Sequence, residues 1–435
     1  MRQTRRQFLG TTAGLMTAAA SRPIWGQDVS RPKVAIVVTA CFYRSHAHVL
    51  LENFLEPYLF CGKLHQPSVD VVALYSHQFN KNDTLKRIAE DYRIPLYPTI
   101  AEAVCRGGDK LAVDGVVSIG EHGEYPKNDL GQDMYPRKEL FDQIVAVYRK
   151  SGRSVPTFND KHLSYRWDWA KEMVDVSKEL KFPFLAGSSV PLSQRVPDVS
   201  LPPGANIDEA VSIHGGPTER YGYHGIEVLQ AIVEGRAGGE TGISRVTYLT
   251  ADQLRGDAGR GKWSVDLANA AMKAEHQLNG TTPQGDLLAE LKEGFLIEYL
   301  DGTKGTVLKV GENGIRWNFA CRLKGEEHPR AFSHYVGPWN NRSLFRALAN
   351  AIQVMIVEKK APYRVERTLM TTGATEAAMI SKHKGEPYKT PHLEFSYKQL
   401  DNWDRIRENG ETWKTITPDT PEPPGMKKDP PPKEA

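Results

Sequence analysis

The sequence predicts an α/β chain with a parallel-sheet domain followed by an α+β domain whose sheet is open and largely antiparallel. Two observations predict the first part: continuous apolar runs typical of strands buried on both faces, and helical apolar stripes that alternate with them. A third predicts the second part: strand-like segments follow one another there, joined by hairpin turns, before a long amphipathic helix.

Taken in order, Lys33 to Thr39 (KVAIVVT) is a buried strand, and His48 to Phe60 carries a helical stripe of Leu50, Leu51, Phe54, Leu55, Tyr58 and Leu59. Asp70 to Tyr75 is the second strand, and Asn82 to Tyr92 is a helix capped by Asn82 or Asp83. A short strand from Ile94 and a helix begun near Thr99 follow, then a strand over Asp114 to Gly120. Arg137 to Ser151 reads as a helix, Ser154 to Phe158 as a strand, Ser164 to Leu180 as a helix and Phe184 to Ala186 as a strand. This rhythm predicts an open parallel sheet covered on both faces, with ligands at the carboxyl ends of its strands. After a Pro-rich connection (Val196 to Gly204), a helix spans Tyr223 to Glu234. Strands are expected over Ile243–Thr250, Phe295–Leu300, Gly305–Val310, Ile315–Arg322 and Ala331–Val336, and a helix over Arg342–Lys359. Asp301-Gly302 and Glu312-Asn-Gly314 are the hairpin turns. The second sheet is expected to carry helices on one face.

The amino terminus is excluded from the fold. Thr4-Arg5-Arg6-Gln7-Phe8-Leu9 precedes a short apolar, small-residue stretch from Thr11 to Ala20. A bilayer span needs about 20 apolar residues, so this stretch is too short, and the segment resembles a twin-arginine export signal. The expected location is periplasmic or secreted, without a membrane anchor. The boundaries that follow are a signal over 1–27, the parallel-sheet domain over 28–190, the α+β domain over 191–416, and a disordered Pro/Lys-rich tail over 417–435. A formal net charge of +3 without a basic patch excludes nucleic acid as the main partner. Cys41, Cys61, Cys105 and Cys321 have no metal-type spacing; an oxidising compartment would allow three pairings, and buried free thiols are the expectation.

The order of elements resembles the Gfo/Idh/MocA oxidoreductases, with a Rossmann half carrying Tyr97-PTIAEAV and Val113-DGVVSI, a Lys at a strand end, and an antiparallel α/β domain. The resemblance covers most of the chain after the signal. It implies a nicotinamide dinucleotide, NAD or NADP, and a sugar or related polyol as substrate. The family's Glu-Lys-Pro stands at the end of a strand, and Val155-PTFNDK-His162 occupies that place. Asp160 matches the Glu, Lys161 matches the catalytic Lys, and His162 replaces the Pro. An ammonium there polarises the reacting oxygen and stabilises developing charge. The family's second-domain His matches His224, at the start of His224-GIEVLQAI-Val233 with Gly215-Gly216 upstream. A His exchanges protons near neutral pH. The family's Asp four residues earlier is replaced by Arg220, with Glu219 beside it.

The cofactor turn departs further. Thr39-ACFYRSHAHV has no glycine where a dinucleotide fold shows Gly-x-Gly-x-x-Gly. The hydroxyls of Thr39, Tyr43 and Ser45, the charge of Arg44 and the following helix amino terminus are the groups left to hold a phosphate. The second strand ends Tyr75-Ser76-His77 without an acid for the ribose, and Ser76 and Glu121 complete the expected cofactor contacts. His122, Asp160, His162, Arg195, Tyr221 and Glu227 are the expected substrate contacts. A competing constellation of Glu121, His122, His224 and Glu227 has ligand types that suit Zn, Mn or Fe. Three functions remain open: a sugar oxidoreductase with a nicotinamide cofactor, a cofactor-independent or metal-assisted carbohydrate lyase, hydrolase or isomerase, and a non-catalytic carbohydrate-binding protein. A homo-oligomer through the open sheet is a further expectation.

Overall fold

A computed structural model describes residues 30–282, 285–339, 341–401, 403–422 and 425–426. The export segment and residues 427–435 of the tail lie outside the described residues.

Five strands form the first sheet: β1 (Lys33–Val38), β2 (Asp70–Ser76), β3 (Gly115–Ile119), β4 (Thr157–Asp160) and β5 (Phe184–Gly187). They are all parallel, in the order β2-β1-β3-β4-β5. Val38 pairs with both Ser76 and Ile119, so three strands end level at one rim. The short strand expected after Ile94 is a single parallel bridge from Leu96 to Leu74 on the outer edge of β2.

Side chains alternate across β1, so each face receives its own apolar set. Val34, Ile36 and Val38 pack against α1 (His46–Leu55) and α2 (Leu85–Asp91). Ala35 and Val37 pack against α3 (Ile100–Cys105) and α4 (Arg137–Ser151), in a cluster that also takes in α5 (Trp167–Glu179). Thr99 caps α3 by accepting from Glu102 N at 3.1 Å. Helix α1 is shorter than its stripe predicts, because Pro57 forces Glu56 into extended backbone (φ −122°, ψ 155°). Tyr58–Phe60 then pairs with Lys63–His65 as a small hairpin.

The second sheet has eight strands. They are β6 (Gln194–Val196), β7 (Ile207–His214), β8 (Ile243–Thr250), β9 (Leu291–Tyr299), β10 (Lys304–Val310), β11 (Trp317–Leu323), β12 (Arg330–Tyr335) and β13 (Tyr388–Lys389). Their order is β13-β8-β9-β10-β7-β11-β12-β6, antiparallel except for the central parallel pair β10–β7. Helices cover both faces rather than one. Helix α6 (Thr218–Val233) lies on one face. On the other, α7 (Ala251–Gly259) and α8 (Val265–Asn279) bury Val211, Ile213, Leu308, Val310 and Ala320. Helices α7 and α8 pack on part of the face expected to serve a homo-oligomer.

Two later helices tie the sheets together. Helix α9 (Asn341–Glu358) returns to the first sheet, where Phe345, Leu348, Ile352 and Met355 join the cluster of α1. Helix α10 (Val365–Lys384) packs beside α6 and α5. The start of the segment read as a disordered tail is placed: Thr417 and Thr420 form a turn, and Met426 is buried beside α1 and α9. All four cysteines are free thiols, three of them buried and Cys61 partly so.

Candidate active site

The rim where β1, β3, β4 and β5 end gathers most of the charged and imidazole groups singled out in the sequence. Glu121 follows β3, Asp160 ends β4, and Lys161 and His162 follow it. Helix α6 of the second sheet brings His224 to the same place. Arg44, His122 and Lys161 all hold left-handed backbone, with φ of 63°, 70° and 59°. Such conformations cost on the order of 1–3 kcal/mol in a residue other than glycine, and they cluster at functional sites.

Glu121 is the hub. Lys161 Nζ donates to its Oε1 at 2.7 Å, and Arg137 Nη2 donates to its Oε2 at 2.5 Å. Burial alone would raise this carboxyl, but Lys161 and Arg137 outweigh it and hold it well below the usual range. Arg137 Nη1 also donates to His162 Nε2 at 3.0 Å. Burial and that guanidinium keep the His162 imidazole neutral, far below its ordinary pKa. Asp160 Oδ2 lies 2.6 Å from His46 Nδ1 at the start of α1. His122 packs edge-on against His46 and Phe42, and burial beside His46 lowers it to about 3.

His224 is oriented from behind. Its Nδ1 is 2.6 Å from Ser188 Oγ, which already accepts from Val190 N at 3.1 Å. The contact fixes the ring's orientation, with Nε2 directed away from Ser188. Burial, then the charges of Lys161 and His46, keep this ring neutral well below its ordinary pKa. Lys161 and His224 thus share one electrostatic neighbourhood. Tyr221 stacks on Trp317 at 5.2 Å, and both rings approach His224.

Glu219 lies in the first turn of α6, beside the position where the resemblance places an Asp. Helix α6 begins at Thr218, five residues before its apolar stripe. The extra turn carries Glu219 and Arg220 toward the rim of the first sheet. Arg220 Nε reaches Asp133 at 2.9 Å in the loop between β3 and α4, and Asp133 also holds Lys127 at 2.8 Å. Glu219 is partly buried, and among the described residues its carboxylate has no hydrogen-bond or ion-pair partner. Burial raises it to about 7, against the pull of Lys161 and with help from Glu121. Its place in the first helical turn, where an acid suits the helix dipole, is a second signal.

Other expected contacts have different work. Glu227 is buried; it accepts from Thr371 Oγ1 and, at 3.4 Å, from Ser188 N, so it supports the serine that orients His224. Arg195 lies in β6, donates to Val199 O at 3.1 Å and stacks on Phe332. It lines a separate cavity of about 510 Å³ at the carboxyl end of α6, with Glu234 and Arg236. Among the described residues no three His, Cys, Asp or Glu side chains come together as a metal site. The proposed ligands Glu121 and Glu227 are taken by Lys161, Arg137 and Thr371, and His122 and His224 point to different partners.

The fit of a dinucleotide is uneven along the rim. At one end, four buried polar atoms have no partner among the described residues: Ser118 Oγ, His122 Nε2, Asn159 Oδ1 and His162 Nδ1. Leaving such atoms unmade costs roughly 1–3 kcal/mol each, so their concentration suits a polar ligand supplied from outside. The other end lacks the diphosphate cradle of the ordinary pose. Thr39 Oγ1 donates to Glu121 O at 2.8 Å, and Ser45 Oγ caps α1 by accepting from His48 N at 3.3 Å. Ser76 Oγ donates to Gln78 O at 2.7 Å. Tyr43 lies under the Arg44 guanidinium, which is drawn to Glu52 at 3.1 Å and to Glu422. Gln78 and Glu124 bridge the segments after β2 and β3, with Glu124 N donating to Gln78 Oε1 at 2.9 Å. The residues of this first turn do not fit a dinucleotide in that pose; these contacts would have to rearrange to admit one.

No family model and no curated protein matches the sequence. Solved structures do match by shape. GenD2 from gentamicin A biosynthesis, in complex with NAD, is 13% identical with a TM-score of 0.53, over 84% of this chain and 97% of that one. Myo-inositol dehydrogenase from Lactobacillus casei, in complex with NAD(H) and myo-inositol, is 12% identical with a TM-score of 0.52, over 86% and 99%. Myo-inositol 2-dehydrogenase from Lactobacillus plantarum is 12% identical with a TM-score of 0.51, over 82% and 99%. The parallel sheet with its helices and the mixed, mostly antiparallel eight-stranded sheet are the two halves of one architecture, and the chain shares the two-domain fold of these dehydrogenases.

Proposed function

We propose that this protein is an exported oxidoreductase of the Gfo/Idh/MocA type that acts on a sugar or sugar derivative with a nicotinamide dinucleotide. The observation that carries the proposal is that Lys161 and His224 both reach the end of β5: Lys161 N donates to Gly187 O at 3.3 Å, and Oγ of the next residue, Ser188, lies 2.6 Å from His224 Nδ1. The Lys161 ammonium would stabilise negative charge on a substrate oxygen, and the neutral His224 imidazole would offer it a ring nitrogen. Tyr221 and Trp317 offer an aromatic wall to a sugar ring. The NAD and NAD(H) complexes of the structural neighbours support the cofactor. A bound nicotinamide would supply the hydride acceptor; this chain's residues bind the sugar, orient its hydroxyl and hold charge. Export rests on Arg5 and Arg6 and the apolar stretch behind them.

The closed first turn favours one second reading, a cofactor-independent carbohydrate lyase or isomerase using the same side chains. Mass spectrometry of the natively purified protein, with a titration by reduced NAD and NADP, separates the two. Saturable dinucleotide binding, weaker than that of a glycine-rich turn and strengthened by sugar, supports the oxidoreductase. Conversion of a sugar with no dinucleotide bound at any concentration overturns it.

A further inference from the structure

We propose that Arg44 and Arg342 form a site for a phosphate-bearing anion, and that the chain fills this site with its own Glu422 until such a ligand displaces it. The site stands on geometry; only the identification of the phosphate with that of a dinucleotide rests on the oxidoreductase reading. Arg44 lies in the glycine-free turn after β1 and precedes Ser45, the cap of α1. In the ordinary dinucleotide pose a diphosphate meets a helix amino terminus at this turn. Helix α9 brings Arg342 to the same place, where Asn341 Nδ2, one residue before it, donates to Arg44 O at 3.0 Å. The two guanidinium groups meet two carboxylates. Glu52 Oε2 accepts from Arg44 Nη1 at 3.1 Å and pairs with Arg342 Nε at 3.3 Å. Glu422 Oε1 accepts from Arg342 Nη1 at 2.9 Å and also from Arg44 Nη2. The side chains of Arg44 and Glu422 are 11% and 10% exposed, so these charges compensate one another largely out of water.

The two carboxylates are held in different ways. Glu52 belongs to α1 and is fixed by that helix. Glu422 ends a strap, residues 416–422, that forms no helix or strand. The strap is fastened by side chains that reach its carbonyls: Tyr335 Oη donates to Ile416 O, and Trp339 Nε1 donates to Thr420 O at 3.0 Å. Glu422 can therefore turn out of the site without breaking a regular element. With it withdrawn, two guanidinium groups of this cluster face one carboxylate, and the uncompensated charge calls for an anion from outside. Guanidinium forks accept phosphate and carboxylate oxygens alike, and a diphosphate brings more negative charge than a glutamate. Glu422 is thus a built-in competitor that occupies the anion's place, which is why the first turn is closed to a dinucleotide in the ordinary pose.

The test measures binding of inorganic pyrophosphate and of reduced NAD to the full chain by calorimetry, in the wild type, in Glu422→Gln and in the double variant Glu422→Gln/Arg342→Gln. Glu422→Gln keeps the size of the side chain and removes its charge. It should bind pyrophosphate roughly 10- to 100-fold more tightly than the wild type, the worth of one charge-assisted hydrogen bond, and the double variant should lose that gain. Trp339→Phe removes the donor to Thr420 O and leaves all four charges in place, so it should show a smaller gain in the same direction and keeps the test decisive where Glu422→Gln does not fold. Hydrogen exchange of the amides of residues 416–422 should quicken when the wild type is saturated with pyrophosphate. Equal pyrophosphate affinity in the wild type and the strap variants, a gain that survives the loss of Arg342, or unchanged exchange at saturation overturns the proposal. A gain for reduced NAD as well as pyrophosphate supports it with the dinucleotide's diphosphate as the occupant. A gain for pyrophosphate in a protein that binds no reduced NAD supports the anion site with a free phosphoanion as the occupant and removes the dinucleotide reading. Saturable binding of reduced NAD that is equal in the wild type and Glu422→Gln, with no gain for pyrophosphate, overturns the proposal and leaves the dinucleotide reading standing.

Discussion

Lys161 Nζ and Arg137 Nη2 sit on opposite oxygens of one carboxylate, that of Glu121, at 2.7 and 2.5 Å. All three side chains are buried, so Glu121 balances two cations at the heart of the site. Removing one partner of a buried pair costs about 3–5 kcal/mol, because the other charge is left uncompensated. Glu121→Gln should therefore lower unfolding stability by that order in urea titration. Lys161→Met leaves the Arg137–Glu121 pair intact and should lose clearly less. Equal losses in the two variants would show that Glu121 is not the shared anchor.

Gly120 is a second handle on the same group. A Cβ built there would lie 2.7 Å from Arg137 Cγ, near the root of a side chain with no room to retreat. Gly120→Ala should cost about 1–3 kcal/mol by overpacking, and it should loosen Arg137 from Glu121. A variant as stable as the wild type would mean that the Arg137 side chain has room to move after all.

The pH dependence of stability follows from Glu219. Its folded pKa is raised from 4.5 to about 7, mainly by burial. A group of this kind contributes stability fully below its unfolded pKa and loses it as pH rises through the folded value. The wild type should therefore lose, relative to Glu219→Gln, on the order of 2–3 kcal/mol between about pH 5 and pH 8. Urea unfolding of both proteins across that range checks it, and parallel curves would place Glu219 in a wetter setting.

Export is tested by replacing Arg5 and Arg6 with Lys, which keeps the charge and removes the arginine pair read by the receptor. The double variant should stay in the cytoplasm, as fractionation would show. Undiminished secretion would exclude the twin-arginine route.

Much of this architecture is legible in the sequence because the central strands are buried on both faces. Val34 to Val38 and Gly115 to Ile119 are continuous apolar runs, and Arg137–Ser151 ends where Gly152 takes a left-handed cap. Strand Ile207–His214 is not legible in the sequence, because Asp208 and Glu209 interrupt its apolar start. Helix Val365–Lys384 was hidden by Thr368, Thr371, Thr372 and Thr375, which are buried without forming an apolar stripe. Thr375 Oγ1 bonds back to Thr371 O at 2.8 Å, the local satisfaction that lets such a face be buried. The missing glycines of the first turn were visible. What replaced them was not, since Arg44 and Glu422 are 378 positions apart. For Glu219 the sequence shows its neighbourhood to the family's Asp position but not its burial, which folding of the first turn of α6 creates.

The most direct measurement of the central claim is formation of reduced nicotinamide from NAD or NADP, with myo-inositol and a panel of common sugars, by the wild type and by Lys161→Met. The wild type should form it with at least one sugar. Lys161→Met should fall by roughly 100- to 10,000-fold while remaining folded, as expected for a lost charge-stabilising group. Equal turnover by the two proteins, or consumption of the sugar without any reduced nicotinamide, would contradict it.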